Sequence, residues 1–369
     1  MDVVGRHDEL ETINTWLHAA FATAFVIEGE PGIGKTTVWA EAVRVAREED
    51  RQVLRCRPRP SDAGLPNVGL TDLLRSVPDE AFQNLPPPQR RPLEVATLRR
   101  DADEGDLEPR AVGTALTAML ASLANQRPLL LAVDDAQWLD AASLAVLPAF
   151  ARDAAPHRVL LLVGVARGVP DAERFDVLQG RLGRDLEGAL IRLARLDQTA
   201  LAELVAWAVP AYGADERDRL VRRVERDTAG IPLLAVALLE AVAAGYRLAP
   251  DAPAWPTPAR TLIDSLPGTL PPAVIGAVCL RFRGLPLAAQ HVLGAAAALG
   301  GRADVERLTR ATGLEAVAVA QALDVLEWER WLSADAQGYL FAAPIERDIV
   351  LQEMLTPGQA RRYRDQSVP

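Results

Sequence analysis

The chain has 369 residues, 49% of them hydrophobic and 24% charged, with a net charge of −10 and a pI near 5.1. That length exceeds the usual single domain and predicts two or three, each large enough to bury its own core. The acidic balance argues against a surface that coats nucleic acid, and a mean hydropathy of +0.05 without a long uncharged apolar run argues against a membrane span. Asp2, Arg6, Asp8 and Glu9 interrupt the first residues, which speaks against a secretion signal. The two cysteines, Cys56 and Cys279, lie far apart without metal-ligand spacing, so they are expected as buried apolar residues of a reducing, cytoplasmic compartment. His7, His18, His157 and His291 are scattered, and no zinc site is expected.

In chain order, Phe25-Val26-Ile27 is a β-type run ending at the turn-rich Gly29-Glu30-Pro31-Gly32, and Thr37 to Glu49 is helix-compatible. Gln52 to Cys56 predicts the next strand, with a helix near Leu70 to Ser76. Leu85 to Glu108, with prolines at 86 to 88 and an acidic run, reads as a weakly structured surface excursion. A helix from about Arg110 to Asn125 leads into Leu129 to Val133, an apolar run suited to a central parallel strand, with Asp134 and Asp135 at its end. Val159 to Val165 and Ala189 to Leu193 predict two more strands, and the alternation with helices implies a parallel sheet. From Thr199 to about Gly245 the pattern is helical, and Tyr246 to Pro258 reads as a proline-rich linker. Helices at Val274 to Arg281, Ala288 to Leu299, Val305 to Thr312 and Leu314 to Trp328 then precede two short apolar runs, Trp331 to Ser333 and Tyr339 to Phe341, suited to pairing as a wing.

Gly29-Glu30-Pro31-Gly32-Ile33-Gly34-Lys35-Thr36 matches G-x-x-x-x-G-K-[ST] between a strand and a helix. Glycines let backbone N–H groups turn inward around phosphates, the helix start adds positive potential, Lys35 reaches β/γ oxygens, and the Thr36 hydroxyl is a Mg²⁺ ligand. A helix terminus alone supplies roughly 0.3–1 kcal/mol, whereas micromolar binding needs about 8 kcal/mol, so lysine, amides and dipole must act together. Lys35 is the only lysine among 40 Lys and Arg residues. A compact ammonium enters a narrow phosphate loop where a planar guanidinium does not, so a chain that otherwise writes Arg has a chemical reason for Lys here. Asp134 at the end of its strand is placed to hold Mg²⁺ through water, and Asp135 to polarise the attacking water. The short Asp135 side chain favours slow turnover.

These motifs resemble those of STAND-type signal-transduction ATPases, an AAA+-related group, and especially the ATPase portion of large LuxR-type ATP-binding transcriptional regulators. Val4-Gly5-Arg6-His7-Asp8-Glu9-Leu10 is similar to the family's opening V-G-R-x-x-E-L string, and Asp134-Asp135-Ala136-Gln137-Trp138-Leu139-Asp140 to its D-D-x-Q-W-x-D string. The resemblance implies ATP or ADP with Mg²⁺ as cofactors, with Val4, Gly5, Arg6, Gly29, Gly32, Ile33, Gly34, Lys35, Thr36 and Thr37 against the nucleotide. It further implies Arg167 as a sensor near the γ-phosphate and Pro232, in Gly230-Ile231-Pro232, beside the base. Ala343 stands where the family usually carries a histidine that touches ADP, so a tight ADP-locked state is not implied. The family normally continues into helical sensor repeats and a DNA-binding helix-turn-helix, for which no length remains between Tyr363 and Pro369.

The expected architecture is an α/β P-loop NTPase sheet with a helical lid and a C-terminal winged-helix-like domain: residues 1–195, 196–250 and 265–369, with a linker at 251–264. The expected function is a slow Mg-ATP switch ATPase whose partner is nucleotide, with ATP-dependent self-association implied by resemblance and neither membrane nor direct DNA binding expected. Glu346 and Asp348 beside Arg347 make the candidate wing face a poor one for DNA. Two readings stand beside it: an ATP-dependent scaffold that never completes hydrolysis, and a winged-helix DNA-binding protein.

Overall fold

The apolar runs become β1 (Thr23–Gly29), β2 (Gln52–Cys56), β3 (Leu129–Val133), β4 (Val159–Ala166) and β5 (Gly188–Arg192). They form one parallel sheet in the order β2-β3-β4-β1-β5. Every residue of β3 and β4 is buried, as expected of strands covered on both faces. The computed structural model describes residues 3–18, 23–101, 108–146, 159–166, 188–243 and 272–367. By their contacts the residues fall into two units, 1–30 with 34–193, and 31–33 with 194–369. The expected linker and Arg167 lie outside the described residues.

In the first unit, α1 (His7–Leu17) is followed after β1 by α2 (Lys35–Glu48), which packs on β1, β2 and β4. Alternate side chains of the strands point to opposite faces. Val26, Leu54, Leu131, Val133, Leu161 and Val163 join one core with α6 (Pro109–Gln126), while Phe25 meets Trp16 of α1 at a ring-centroid distance of 5.1 Å. Three short helices lie between β2 and α6: α3 (Val68–Leu73), α4 (Asp79–Gln83) and α5 (Pro87–Ala96). The last corrects the expectation of a weakly structured excursion. Pro87 and Pro88 occupy the first helical turn, where a missing N–H costs nothing, and Leu93, Val95 and Ala96 are buried.

The second unit is helical: α7 (Gln198–Ala208), α8 (Ala214–Thr228), α9 (Pro232–Ala243), α10 (Pro272–Gly284), α11 (Leu287–Leu299), α12 (Val305–Thr312) and α13 (Ala316–Trp328). Next come an antiparallel hairpin of β6 (Leu332–Asp335) and β7 (Gly338–Phe341), then α14 (Pro344–Ile349) and α15 (Pro357–Gln366). The hairpin is the expected wing, and a bridge from Tyr339 to Ala303 extends it. Ile231, Leu234 and Ala237 share one core with α10 to α14. Gly230 has φ +72°, and a Cβ there would lie 2.4 Å from the Leu196 carbonyl, whose own N–H donates to Gly230 O at 2.8 Å. Only glycine fits that approach. Glu346 is buried in an ion pair with Arg281, which also stacks over Trp331 at 4.3 Å. Its carboxylate therefore holds α14 to α10 and is not part of an exposed acidic face.

Candidate functional site

The loop from Gly29 to Thr36 leaves the C-terminal end of β1 and opens α2. Gly32 at φ +79° and Gly34 at φ +96° take the left-handed conformations that turn the backbone around, as predicted for glycines in such a loop. Lys35 is buried, and its Nζ donates to the carbonyls of Gly29 at 3.1 Å and Glu30 at 2.9 Å. Burial pulls its pKa below the ordinary lysine value, and Asp135, Asp134 and Glu30 oppose that fall. Thr36 is half-buried and Thr37 exposed, while Ile33 is fully buried. Gly32 and Ile33 pack with the second unit, within which Leu233 N–H donates to Gly32 O at 3.0 Å; Pro232 precedes it as the first residue of α9.

Asp134 follows β3 directly, and the register sets Val133 opposite Val163 of β4. β4 stands between the strand that carries the loop and the strand that carries the acids. Asp134 is fully buried, and its N–H donates to Cys56 O of β2 at 3.0 Å. Its Oδ1 accepts the Asp135 N–H at 3.1 Å, but its Oδ2 accepts no hydrogen bond among the described residues. Arg57 Nε lies 3.4 Å from Oδ2. Burial, then the neighbouring Asp135 charge, raises the Asp134 pKa; hydrogen bonding to Thr36 and the charge of Arg57 work the other way. The space for this carboxylate is made by Gly164, where an added Cβ would come within 2.8 Å of Asp134 Oδ1.

Asp135 sits in the left-handed region at φ +50°, which short polar residues tolerate best. Its Oδ1 accepts Gln137 Nε2 at 3.0 Å, and Gln137 Oε1 accepts the Ala166 N–H at the end of β4, also at 3.0 Å. Gln137 thus ties Asp135 to a rigid strand end, a role its place in the D-D-x-Q-W-x-D string did not by itself define. At the far end of the string, buried Asp140 accepts the N–H groups of Asn67 at 2.7 Å, Ser143 at 2.8 Å and Gly69 at 3.0 Å. It holds the start of α3 against the turn after β3.

The structure brings Gly29, Gly34, Lys35, Thr36, Asp134 and Asp135 to one end of the sheet. Arg57, which none of the motifs contains, stands beside them with its side chain 58% exposed. Val4, Gly5 and Arg6 form the turn into α1, where buried Arg6 pairs with Glu9 at 2.8 Å. Cys56 is buried, with its thiol pushed up to about 12 by desolvation, whereas Cys279 is only partly buried.

The donor set fits a nucleotide phosphate with a divalent cation: a helix start and an ammonium for the phosphates, and the Thr36 hydroxyl beside a buried carboxylate oxygen with no hydrogen bond of its own. The five-stranded parallel sheet with its surrounding helices is the fold of a P-loop NTPase. Residues 2–163 match the AAA ATPase domain family. The fold is similar to the Walker-type ATPase PABY2304 of Pyrococcus abyssi (17% identity, TM-score 0.57, covering 95% of this chain and 96% of that one). It is also similar to the ORC2 protein of Aeropyrum pernix (15% identity, TM-score 0.59, covering 99% and 95%). A STAND protein of Pyrococcus horikoshii with a tetratricopeptide repeat sensor aligns over 98% of this chain and 44% of its own, at 14% identity and a TM-score of 0.40. No curated protein matches. Among the described residues no helix is long and apolar enough to cross a membrane.

Proposed function

We propose that the chain is a slow, Mg-dependent regulatory switch ATPase of the STAND type, corresponding to the ATPase portion of a LuxR-type transcriptional regulator and working in the cytoplasm. The observation that carries the reading is the buried Asp134 carboxylate, with one oxygen fixed by a backbone N–H and the other accepting no hydrogen bond, within reach of Thr36 of the phosphate loop. Thr36 and Asp134 would hold the cation, which neutralises phosphate charge when bound. Lys35 gives up its two loop carbonyls to take phosphate oxygens instead. Gly29, Gly32, Ile33, Gly34 and Thr37 shape the cradle, and Asp135, held by Gln137, orients the attacking water. Arg167 senses the terminal phosphate, Val4 to Arg6 and Pro232 line the base, and the lid at 196–250 and winged-helix-like domain at 265–369 change arrangement between ATP and ADP states. That change requires the two arrangements to differ in affinity for the two nucleotides. ATP-driven self-association belongs to this reading.

The test is phosphate release from Mg-ATP by the purified chain beside Lys35→Ala, with retained nucleotide assayed in both. Activity in the wild type that disappears in the variant is expected. Retention without hydrolysis would move the reading to the ATP-dependent scaffold, and a wild type that retains nothing would overturn it.

A further inference from the structure

We propose that Arg57 is a resident countercation of Asp134: its guanidinium occupies the side of the carboxylate that a divalent cation takes, and it must swing out before that carboxylate can ligate metal. The inference rests on the Mg-ATP reading above and adds a residue that the sequence motifs do not contain.

Three observations carry it. Asp134 is fully buried, and within the described residues Arg57 is the cation paired with it, Nε to Oδ2 at 3.4 Å. Oδ2 is also the oxygen left without a hydrogen bond, so the guanidinium stands against the less engaged oxygen, while Oδ1 accepts the Asp135 N–H. The two partners differ in freedom: the Asp134 side chain is 0% exposed and that of Arg57 58%. A long side chain with most of its length in water changes rotamer readily, whereas a buried aspartate does not.

The backbone makes the swing cheap. Arg57 directly follows the last residue of β2, its own N–H donates to Asp72 Oδ2 at 3.2 Å, and Asp134 N–H is held by Cys56 O. Both main chains are thereby fixed while the side chain turns. Room for it exists: Arg57 lines an open groove of about 490 Å³ beyond the edge strand, together with Arg55, Arg47 and Trp39. In the resting site Arg57 neutralises a carboxylate that would otherwise be a buried, unpaired charge, which is costly. In the loaded site the same positive charge is in excess and moves to solvent. Arg57 is a positioning residue in this scheme, since it acts through Asp134.

The experiment titrates Mg²⁺ from an EDTA-treated start and follows binding of a fluorescent N-methylanthraniloyl ATP to the full chain in wild type, Arg57→Ala, Arg57→Gln and Arg57→Lys. Removal of the competing cation is expected to lower the half-saturating Mg²⁺ by roughly three- to tenfold in the Ala and Gln variants. The Lys variant, which keeps the charge, should stay near wild type. Melting curves establish that each variant is folded, and the Gln variant, closest in length, carries the test if Ala does not fold. An unchanged or raised half-saturating Mg²⁺ in a folded neutral variant overturns the inference while leaving nucleotide binding intact. Should the wild type bind no nucleotide, the ATP reading fails separately. Mn²⁺ binding to the nucleotide-free chain, followed by electron paramagnetic resonance, then decides about Arg57, with tighter Mn²⁺ in Arg57→Ala supporting it and equal or weaker Mn²⁺ overturning it.

Discussion

Asp134 and Asp140 open and close the same seven-residue string, both are buried, and they are treated oppositely. Asp140 is surrounded by backbone donors from Asn67, Gly69 and Ser143, so that its charge is spread over amides that cannot leave. Asp134 has one such main-chain donor, the Thr36 hydroxyl and the half-exposed Arg57 guanidinium beside it. A carboxylate saturated by main-chain N–H groups is a structural strut. One kept half-satisfied at a strand end retains capacity for a ligand, and the fold carries the cost.

The most severe break in the comparison is expected from Asp140→Ala, which strands three buried amides. Unfolding stability should fall by about 3–5 kcal/mol, read as a lowered urea midpoint. Gly164→Ala attacks the other aspartate sterically, because its Cβ has no room beside Asp134 Oδ1. A loss of about 1–3 kcal/mol is expected, accompanied by weaker nucleotide retention. Gln137→Ala leaves both buried aspartates in place and frees only Asp135. Phosphate release should drop roughly tenfold with nucleotide affinity kept, a split between turnover and binding that equilibrium binding beside turnover assays would reveal. The mildest change is Asp134→Asn, which removes a charge that burial disfavours. Because the folded pKa is raised above the ordinary 3.8, the wild-type acid contributes its stabilisation at low pH and loses it as pH rises through the shifted value. The variant should therefore be the more stable protein at neutral pH, by roughly 1 kcal/mol, and the difference should close as pH falls toward 3.8. A variant less stable than wild type at neutral pH would show that the Arg57 pair outweighs burial.

The contrast between the two aspartates also explains what could be read from residues alone. The strands were legible because a fully covered strand must be apolar throughout, as Leu129 to Val133 is. The phosphate loop was legible because its glycines, lysine and threonine each answer a separate chemical need at fixed spacing. α5 was missed because a proline cluster was read as a breaker, when at a helix start it is compatible with the helix and the burial of Leu93 and Ala96 decides the outcome. Arg57 and the Arg281–Glu346 pair were illegible for a different reason. Their partners are separated by 77 and 65 residues respectively, and a charge in sequence carries no record of what lies opposite it in space. Asp140 was visible as part of a string, but its bonds to Asn67 and Gly69 exist only once the chain between them has folded.

Lys35, buried and bonded to two carbonyls of its own loop, is also the single side-chain amine in the chain. Its lowered pKa leaves more of that amine unprotonated near neutrality than in an ordinary lysine. Acylating reagents that ignore guanidinium groups therefore meet one internal target, so covalent labelling followed by mass spectrometry reports occupancy of the loop directly, without an engineered tag or a background of surface amines to subtract.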